Sequence, residues 1–443
     1  MNEASVEESV FRSILRAALT AADPQEAVRR SMVRQGNLLL AGEKRYDLET
    51  VRHIYIIGAG KAAVPMALAA EEVLGEKISG GLIVTPHGQT GSLKRIRVLS
   101  AGHPIPDHKG LSAAEECIRQ AVAAGKDDLV LVLLSGGASA LLPAPVHGIT
   151  LKNKQRVTEL LLKSGAGISE INAVRKHLSR IKGGRLAAQI YPASSLTLIL
   201  SDVLDNDISA IASGPTVPDP FLFSDAVAIL KQYHLLNRLP AAVRGHLSRG
   251  LRGRYPETPK PGDPIFDAAQ HVIVCDNRRS VEAAMAQAQA LGFQVAVLTT
   301  SLRGEAREIA RVFGAMAHEI HRFGRPLCRP ACVLAGGELT VTVKGRGLGG
   351  RAQEFVLAAA LDVAGLPKTT VIGFGTDGLD GPTEAAGAVA DGTTVERALK
   401  AGLDPAKALA GHNSYPFFKS LGDLILTGPT GTNVNDLYLL LML

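Results

Sequence analysis

The stretch 194-SSLTLILSDVLDNDISAIASGPTVPDP-220 decides how the chain is read. Leu196 to Leu200 is an apolar run of the length expected for a strand buried on both faces, and it ends abruptly in Ser201, Asp202, Asp205 and Asp207. Carboxylates therefore crowd the carboxyl end of a core strand, which in open α/β sheets is where ligands sit. These acids are candidates to hold a metal or to accept a proton from a substrate hydroxyl. The alternative for any one of them is a helix cap or a solvated surface acid.

Working outward, the same strand, polar loop, helix logic recurs. His53 to Ile57 enters Gly58-Ala59-Gly60-Lys61, and AAVPMALAAEEVLG comes next as a helix. Gly81 to Thr85 and Ile96 to Leu99 read as strands, Leu111 to Ala124 as a helix, and Leu129 to Leu134 as a strand delivering Ser135-Gly136-Gly137-Ala138-Ser139. This alternation predicts a parallel sheet covered on both faces. Upstream of the first strand, the residues after Ser5 form an amphipathic helix and Asp23-Pro24 starts a second, both expected to pack on the outside of that sheet.

Proline, glycine and charge without apolar periodicity mark 252–264 as an exposed connection, which predicts domains at 1–255 and 265–443. A second alternation comes after it, with strands at His271 to Cys275, Val295 to Thr299, Leu339 to Val343, Thr370 to Phe374 and Leu437 to Leu443. Gly336-Gly337-Glu338 precedes the third of these. Gly345 to Arg351 opens onto the helix AQEFVLAAALDVAG.

With 443 residues and a formal charge of +6, the chain is long enough for two cores and only mildly basic. Its basic residues are spread out and lack interleaved aromatics, which argues against nucleic acid and for a small anionic substrate. Cys328-x-x-x-Cys332 has no second ligand pair nearby, so free thiols in a reducing compartment are the expectation. The first residues lack a basic segment followed by an apolar core, and no apolar run reaches membrane length. A soluble cytoplasmic protein is expected.

Gly58-x-Gly60-x-x-Ala63 satisfies the loose dinucleotide pattern, but the second strand ends in Thr85-Pro86-His87-Gly88, without the acid that would hold a ribose. Lys61 enters a helix, where backbone N–H groups and an ammonium could meet a phosphate or carboxylate. Gly137-Ala138-Ser139-Ala140-Leu141 lacks the final glycine of a nucleophile elbow, and the loop could instead wrap an anion. No Walker A sequence occurs. In the Gly345 to Arg351 run, glycines could admit phosphate oxygens to the backbone while Arg346 and Arg351 fork onto them. Asp377 and Asp380 could hold magnesium, although Ala388 stands where an EF-hand needs its bidentate Glu.

Together these motifs resemble the type II glycerate kinases, the glycerate 2-kinase family whose C-terminal part is called the MOFRL domain. The likeness rests on GAGKA at 58–62, SGGASAL at 135–141, KHLSRIKGGRLA at 176–187, SDVLDNDISAIASGPT at 201–216, GGELTVTVKGRGLGGRAQE at 336–354, GTDGLDGPTEAAGA at 375–388 and GTNVNDL at 431–437. The resemblance implies an N-terminal Rossmann-like parallel sheet, a C-terminal α/β domain and an active site in the cleft between them. It implies ATP-dependent phosphorylation of D-glycerate to 2-phosphoglycerate with Mg2+ or another divalent cation, and it points to Lys61, Asp202 and Arg351 as catalytic. Substrate and nucleotide contacts are expected at Gly58, Gly60, Ser135, Gly136, Gly137, Ser139, Arg175, Gly336, Glu338, Gly349 and Gly350, and metal contacts at Asp205, Asp207 and Asp377. Arg175, Lys176 or Arg180 could receive the glycerate carboxylate. The family often has Asn after the GGR arginine, where this chain has Ala352. Some members carry a hydroxypyruvate reductase label, and the missing ribose acid speaks against that alternative here. No nucleic-acid or membrane partner is implied, and a homodimer is allowed.

Overall fold

A computed structural model describes residues 3–443, with side chains from Glu8 onward. The chain forms two compact units, one from the residues up to Asp23 together with Cys275–Leu443, the other from Pro24–Val274. Helix α1 (Glu3–Ala21) thus belongs with the C-terminal half. Its Phe11, Ile14, Leu15 and Ala18 are buried in one cluster with Val281, Ala284 and Leu439, and the Ser280 hydroxyl donates to the Ala18 carbonyl at 3.0 Å. This differs from the division at 255/265 expected from composition. The Pro/Gly stretch 252–264 stays inside the 24–274 unit, where the Asp219 N–H donates to the Pro259 carbonyl at 2.9 Å and Lys260 donates to the Asp219 carbonyl at 3.1 Å.

In the 24–274 unit, a small three-stranded antiparallel sheet over 32–47 precedes six strands: β1 (Ile54–Ala59), β2 (Ile78–Pro86), β3 (Arg97–Ala101), β4 (Leu129–Leu134), β5 (Ser194–Leu200) and β6 (Ala269–Cys275). Their order is β3-β2-β1-β4-β5-β6, the doubly wound 3-2-1-4-5-6 arrangement, and the β1–β2, β2–β3, β1–β4 and β4–β5 pairs are parallel. Every residue of β4, LVLVLL, is buried. A fully buried aliphatic side chain contributes about 1.5–3 kcal/mol, so an unbroken apolar run holds the centre of a two-faced sheet where an alternating one would not. Helices α2 (Ala63–Leu74), α3 (His108–Ala123), α4 (Leu151–Lys163), α5 (Ile168–His177) and α6 (Arg185–Ile190) follow the strands. The strand order reverses between β1 and β4, and the loops Gly58 to Lys61 and Ser135 to Ser139 leave the carboxyl ends of those two strands.

The other unit holds a mixed sheet of β7 (Gln294–Leu302), β8 (Ala331–Gly337), β9 (Thr369–Gly375), β10 (Gly387–Asp391), β11 (Leu424–Ile425) and β12 (Asp436–Met442), ordered β7-β8-β12-β9-β10-β11. Only β7–β8 is parallel. Helices α7 (Asn277–Ala290), α8 (Ala306–Phe323) and α9 (Arg351–Asp362) complete this unit's main frame. The last strand runs antiparallel between β8 and β9, so its first residue, Asp436, pairs with both Gly337 and Gly375 at their carboxyl ends. The expected strand Leu339 to Val343 does not form. Thr340 makes one isolated bridge to Glu305, and the Thr342 N–H is taken by the Glu305 carboxylate at 3.1 Å instead of by a neighbouring strand.

Candidate functional site

The reversal of strand order is closed by a clasp between two loops. The Lys61 N–H donates to the Gly136 carbonyl at 2.9 Å, the Ser135 N–H to the Ala59 carbonyl at 3.2 Å, and the Ala62 N–H to the Ser135 hydroxyl at 3.0 Å. Ser135 therefore caps the start of α2 from the neighbouring strand, satisfying one of the N–H groups a helix leaves open. Gly60 (φ +140°) has no room for a side chain, because a Cβ there would lie 2.0 Å from the Ser135 Oγ. Gly58 pairs between Ile83 and Leu133 inside the sheet. Gly137 (φ +91°) faces the imidazole of His103, where a Cβ would lie 2.9 Å from the ring. Burial, reinforced by the Lys61 ammonium, holds the His103 imidazolium below its ordinary pKa. Among the expected residues, Gly58, Gly60, Lys61, Ser135, Gly136 and Gly137 are thus brought together.

A second network joins the loops after β4 and β5. The buried Lys182 amine donates to the Ser139 carbonyl (3.2 Å), the Ser139 hydroxyl (2.9 Å) and the Ala212 carbonyl (3.3 Å). Ser213 donates to Asn172 Oδ1 at 3.0 Å, so in the 2.9 Å contact between the two serine hydroxyls Ser139 is the donor. Arg175, on α5, reaches Asn172 Oδ1 at 3.4 Å, and its buried Nε has no hydrogen-bond partner. Burial, then the nearby Arg175 guanidinium, pushes the Lys182 ammonium well below its ordinary range. Ser139 and Arg175 therefore belong to one hydrogen-bonded chain, with Lys182, Ser213 and Asn172 as members that sequence reasoning did not place there. The strand-end loop carries unusual backbone geometry: Asp205, Asn206, Ala212 and Ser213 all have positive φ between 52° and 66°. Non-glycine residues pay about 1–3 kcal/mol for such conformations, which persist where surrounding bonds fix them and cluster at functional sites. For Ser213, the bonds to Ser139 and Asn172 are that fixing.

In the other unit, Arg351 is the first residue of α9 and forks onto Asp436, with Nε to Oδ2 at 2.6 Å and Nη2 to Oδ1 at 3.2 Å. Its remaining nitrogen, Nη1, donates to Glu338 at 2.5 Å. Asn435 Nδ2 donates to Glu338 at 3.3 Å and the Tyr438 hydroxyl to Asp436 at 2.8 Å. Although burial works against it, Asp436 and then Glu338 hold the guanidinium firmly protonated. The β12 register explains the convergence, since Asp436 begins the strand and Glu338 follows the end of its neighbour β8.

Asp380 is buried at the amino end of α9, where it accepts the N–H groups of Ala352 (3.1 Å) and Gln353 (2.8 Å) and the Gln353 side-chain amide (3.0 Å). Burial, partly offset by the Gln353 N–H, raises its pKa to about 7. A helix amino end is a ready site for phosphate; here a carboxylate of the chain fills it. The glycines before it serve packing, since a Cβ on Gly350 would meet Asp380 at 2.2 Å and one on Gly349 would meet the Ser414 hydroxyl at 2.1 Å. Gly336 pairs with Leu437 in the sheet.

Two of the acids expected to hold a metal carry backbone bonds of their own. Asp207 and Asp377 each turn one oxygen back onto the chain, to the N–H of Ser209 (2.9 Å) and Leu379 (3.0 Å). Among the described residues no group of three His, Cys, Asp or Glu side chains could hold a metal ion.

Two α/β units, one with a lysine where its doubly wound sheet reverses and one with an arginine over strand-end acids, define the class of protein. Residues 10–248 match the family described as Domain of unknown function (DUF4147), and residues 331–436 match the MOFRL family. A Glycerate 2-kinase of Pyrococcus horikoshii is 43% identical, over 95% of this chain and 94% of its own length. A D-glycerate 2-kinase of Thermotoga maritima is 41% identical, over 87% of this chain and 89% of its own. A crystal structure of glycerate kinase from Thermotoga maritima matches with a TM-score of 0.88 at 37% identity, covering 99% of this chain and all of the other. The chain belongs to the glycerate 2-kinase family.

Proposed function

We propose that this protein transfers the γ-phosphoryl group of ATP to the 2-hydroxyl of D-glycerate. The observation that carries this reading is the likeness, over nearly the whole chain, to relatives named for that activity. Phosphoryl transfer asks a protein mainly for positioned charge and an oriented nucleophile. Lys61, at the reversal of strand order in one unit, and Arg351, fixed by Asp436 and Glu338 in the other, are the residues proposed to supply cationic charge. Asp202, following β5, orients the attacking hydroxyl.

Of the three basic residues that could take the substrate carboxylate, two already have acids. Lys176 pairs with buried Asp219 at 3.2 Å, and Arg180 pairs with Glu115. Arg175 has no carboxylate partner among the described residues, and a buried guanidinium without an anion is costly, so it is the residue assigned to glycerate. Mg2+ would ride on the ATP phosphates and need only one or two protein carboxylates, for which Asp205, Asp207 and Asp377 remain the proposed positions. Ser135, Gly136, Gly137 and Ser139 form the proposed substrate loop, and Gly336, Glu338, Gly349 and Gly350 the frame around Arg351.

A nicotinamide-dependent reductase would need a ribose acid at the end of β2. That strand ends in Thr85-Pro86, with the Thr85 hydroxyl donating to Gln89 at 2.5 Å. None of the four cysteines is in a disulfide, in keeping with the proposed reducing, cytoplasmic location, and among the described residues no helix is long and apolar enough to cross a membrane. Two parallel incubations test the reading: ADP should form with D-glycerate plus ATP, and NADH should not be consumed with hydroxypyruvate. The reverse pattern would overturn it.

A further inference from the structure

His103 lies in the loop between β3 and α3, outside the seven stretches on which the family likeness was read. The loop is folded back by Asp107, which caps α3 through the Gly110 N–H (2.9 Å), binds His87 Nε2 at 2.7 Å and also accepts the Gly102 N–H. A Cβ on Gly102 would collide with the Ile105 carbonyl at 2.4 Å, so the turn admits no side chain there. The fold-back sets the His103 imidazole against Gly137, at the loop that follows β4, and near Lys61, at the loop that follows β1. Among the described residues neither ring nitrogen of His103 has a hydrogen-bond partner. The half-exposed ring is therefore open to a ligand held at these two loops.

We propose that His103 accepts the proton of the hydroxyl that attacks the γ-phosphoryl group. The inference rests on the kinase reading above. In the step, the substrate oxygen forms a bond to Pγ, the bond from Pγ to the β,γ-bridging oxygen breaks with its electron pair leaving on ADP, and the hydroxyl proton moves to a ring nitrogen of His103. A neutral imidazole suits that place better than a carboxylate. It adds no negative charge beside a polyanionic phosphate before transfer, and it becomes cationic as it takes the proton. The charged groups around it are Lys61 from the β1 loop and, on its own loop, Asp107 paired to His87. Burial, and then Lys61, lowers its proton affinity, so the imidazolium returns the proton to solvent readily.

The test compares His103→Gln and His103→Phe with the unaltered full-length protein. Glycerate-dependent turnover should fall by about 10²- to 10⁴-fold in both, with affinity for a non-hydrolysable ATP analogue unchanged. The acidic limb of the unaltered enzyme's rate profile, at or below about pH 6.5, should vanish from the residual activity. Should the Phe variant fail to fold, the Gln variant decides. Turnover within about threefold of normal with that limb intact would overturn the assignment of His103 while leaving the kinase reading untouched. Absence of glycerate phosphorylation by the unaltered protein would overturn the kinase reading itself.

Discussion

The hydroxyl of Ser135 fills the space that a side chain on Gly60 would need, with only 2.0 Å between the two positions. One loop thus requires glycine because its neighbour carries a serine, and the pair fixes where Lys61 enters α2. Replacing Gly60 with Ala adds both this clash and a positive-φ penalty, for a loss of roughly 2–6 kcal/mol. Ser135→Ala removes only the cap on Ala62 and should cost about 1 kcal/mol. Chemical denaturation of the two variants reads the difference, and equal midpoints would contradict the packing described.

Asp436 sets the aim of Arg351. In Asp436→Asn the forked contact is broken and one buried ion pair is lost, so turnover with glycerate should drop by about 100-fold or more with the far-ultraviolet circular dichroism unchanged. Arg351→Lys should be comparably impaired, since an ammonium cannot engage two oxygens in one plane. A lysine variant of normal activity would show that charge alone matters there.

Asp380 makes stability depend on pH with a sign opposite to that of most acids. Its folded pKa, about 7, lies above the ordinary carboxylate value, so the folded protein holds the proton more tightly than the unfolded chain does. Its stabilising contribution is complete below about pH 4 and is lost as pH rises through about 7. Denaturation at pH 5 and pH 8 should show a decline in the unaltered protein that Asp380→Asn lessens. An equal or steeper decline in the variant would exclude this residue as the source.

Lys182 ties the loops after β4 and β5 through three acceptors. Lys182→Met strands the Ser139 and Ala212 carbonyls, at about 1–3 kcal/mol for each buried group left unpaired. The affinity for glycerate should fall with it, because Ser139 and Arg175 share the same chain of bonds. Isothermal titration with glycerate checks this, and unchanged affinity would separate the network from the substrate.

Much of the 24–274 sheet is legible in the sequence because its strands are continuous apolar runs, with LVLVLL the plainest, each ending in a polar or glycine-rich loop. Periodicity reports which residues are buried and is silent on what buries them. The stripe on α1 is evident, yet nothing local sends Phe11 and Ile14 to the core formed around α7 and β12. The alternating Leu339 to Val343 reads as a strand, but a strand needs a partner, and Glu305 supplies only a side chain and one bridge. The glycines before Arg351 look equally suited to a phosphate or to Asp380, since both need close backbone approach. Asp436 lies 85 positions from its arginine in sequence, and only the antiparallel insertion of β12 between β8 and β9 brings the two together.

The proposed reaction moves a phosphoryl group from ATP to the oxygen on the second carbon of glycerate. Phosphorus NMR of the product formed from D-glycerate and ATP tests it most directly. The account predicts a new phosphomonoester resonance coupled to the single proton on C2, growing as ADP appears. A resonance coupled to the two protons on C3, or ATP unchanged beside glycerate, would contradict it.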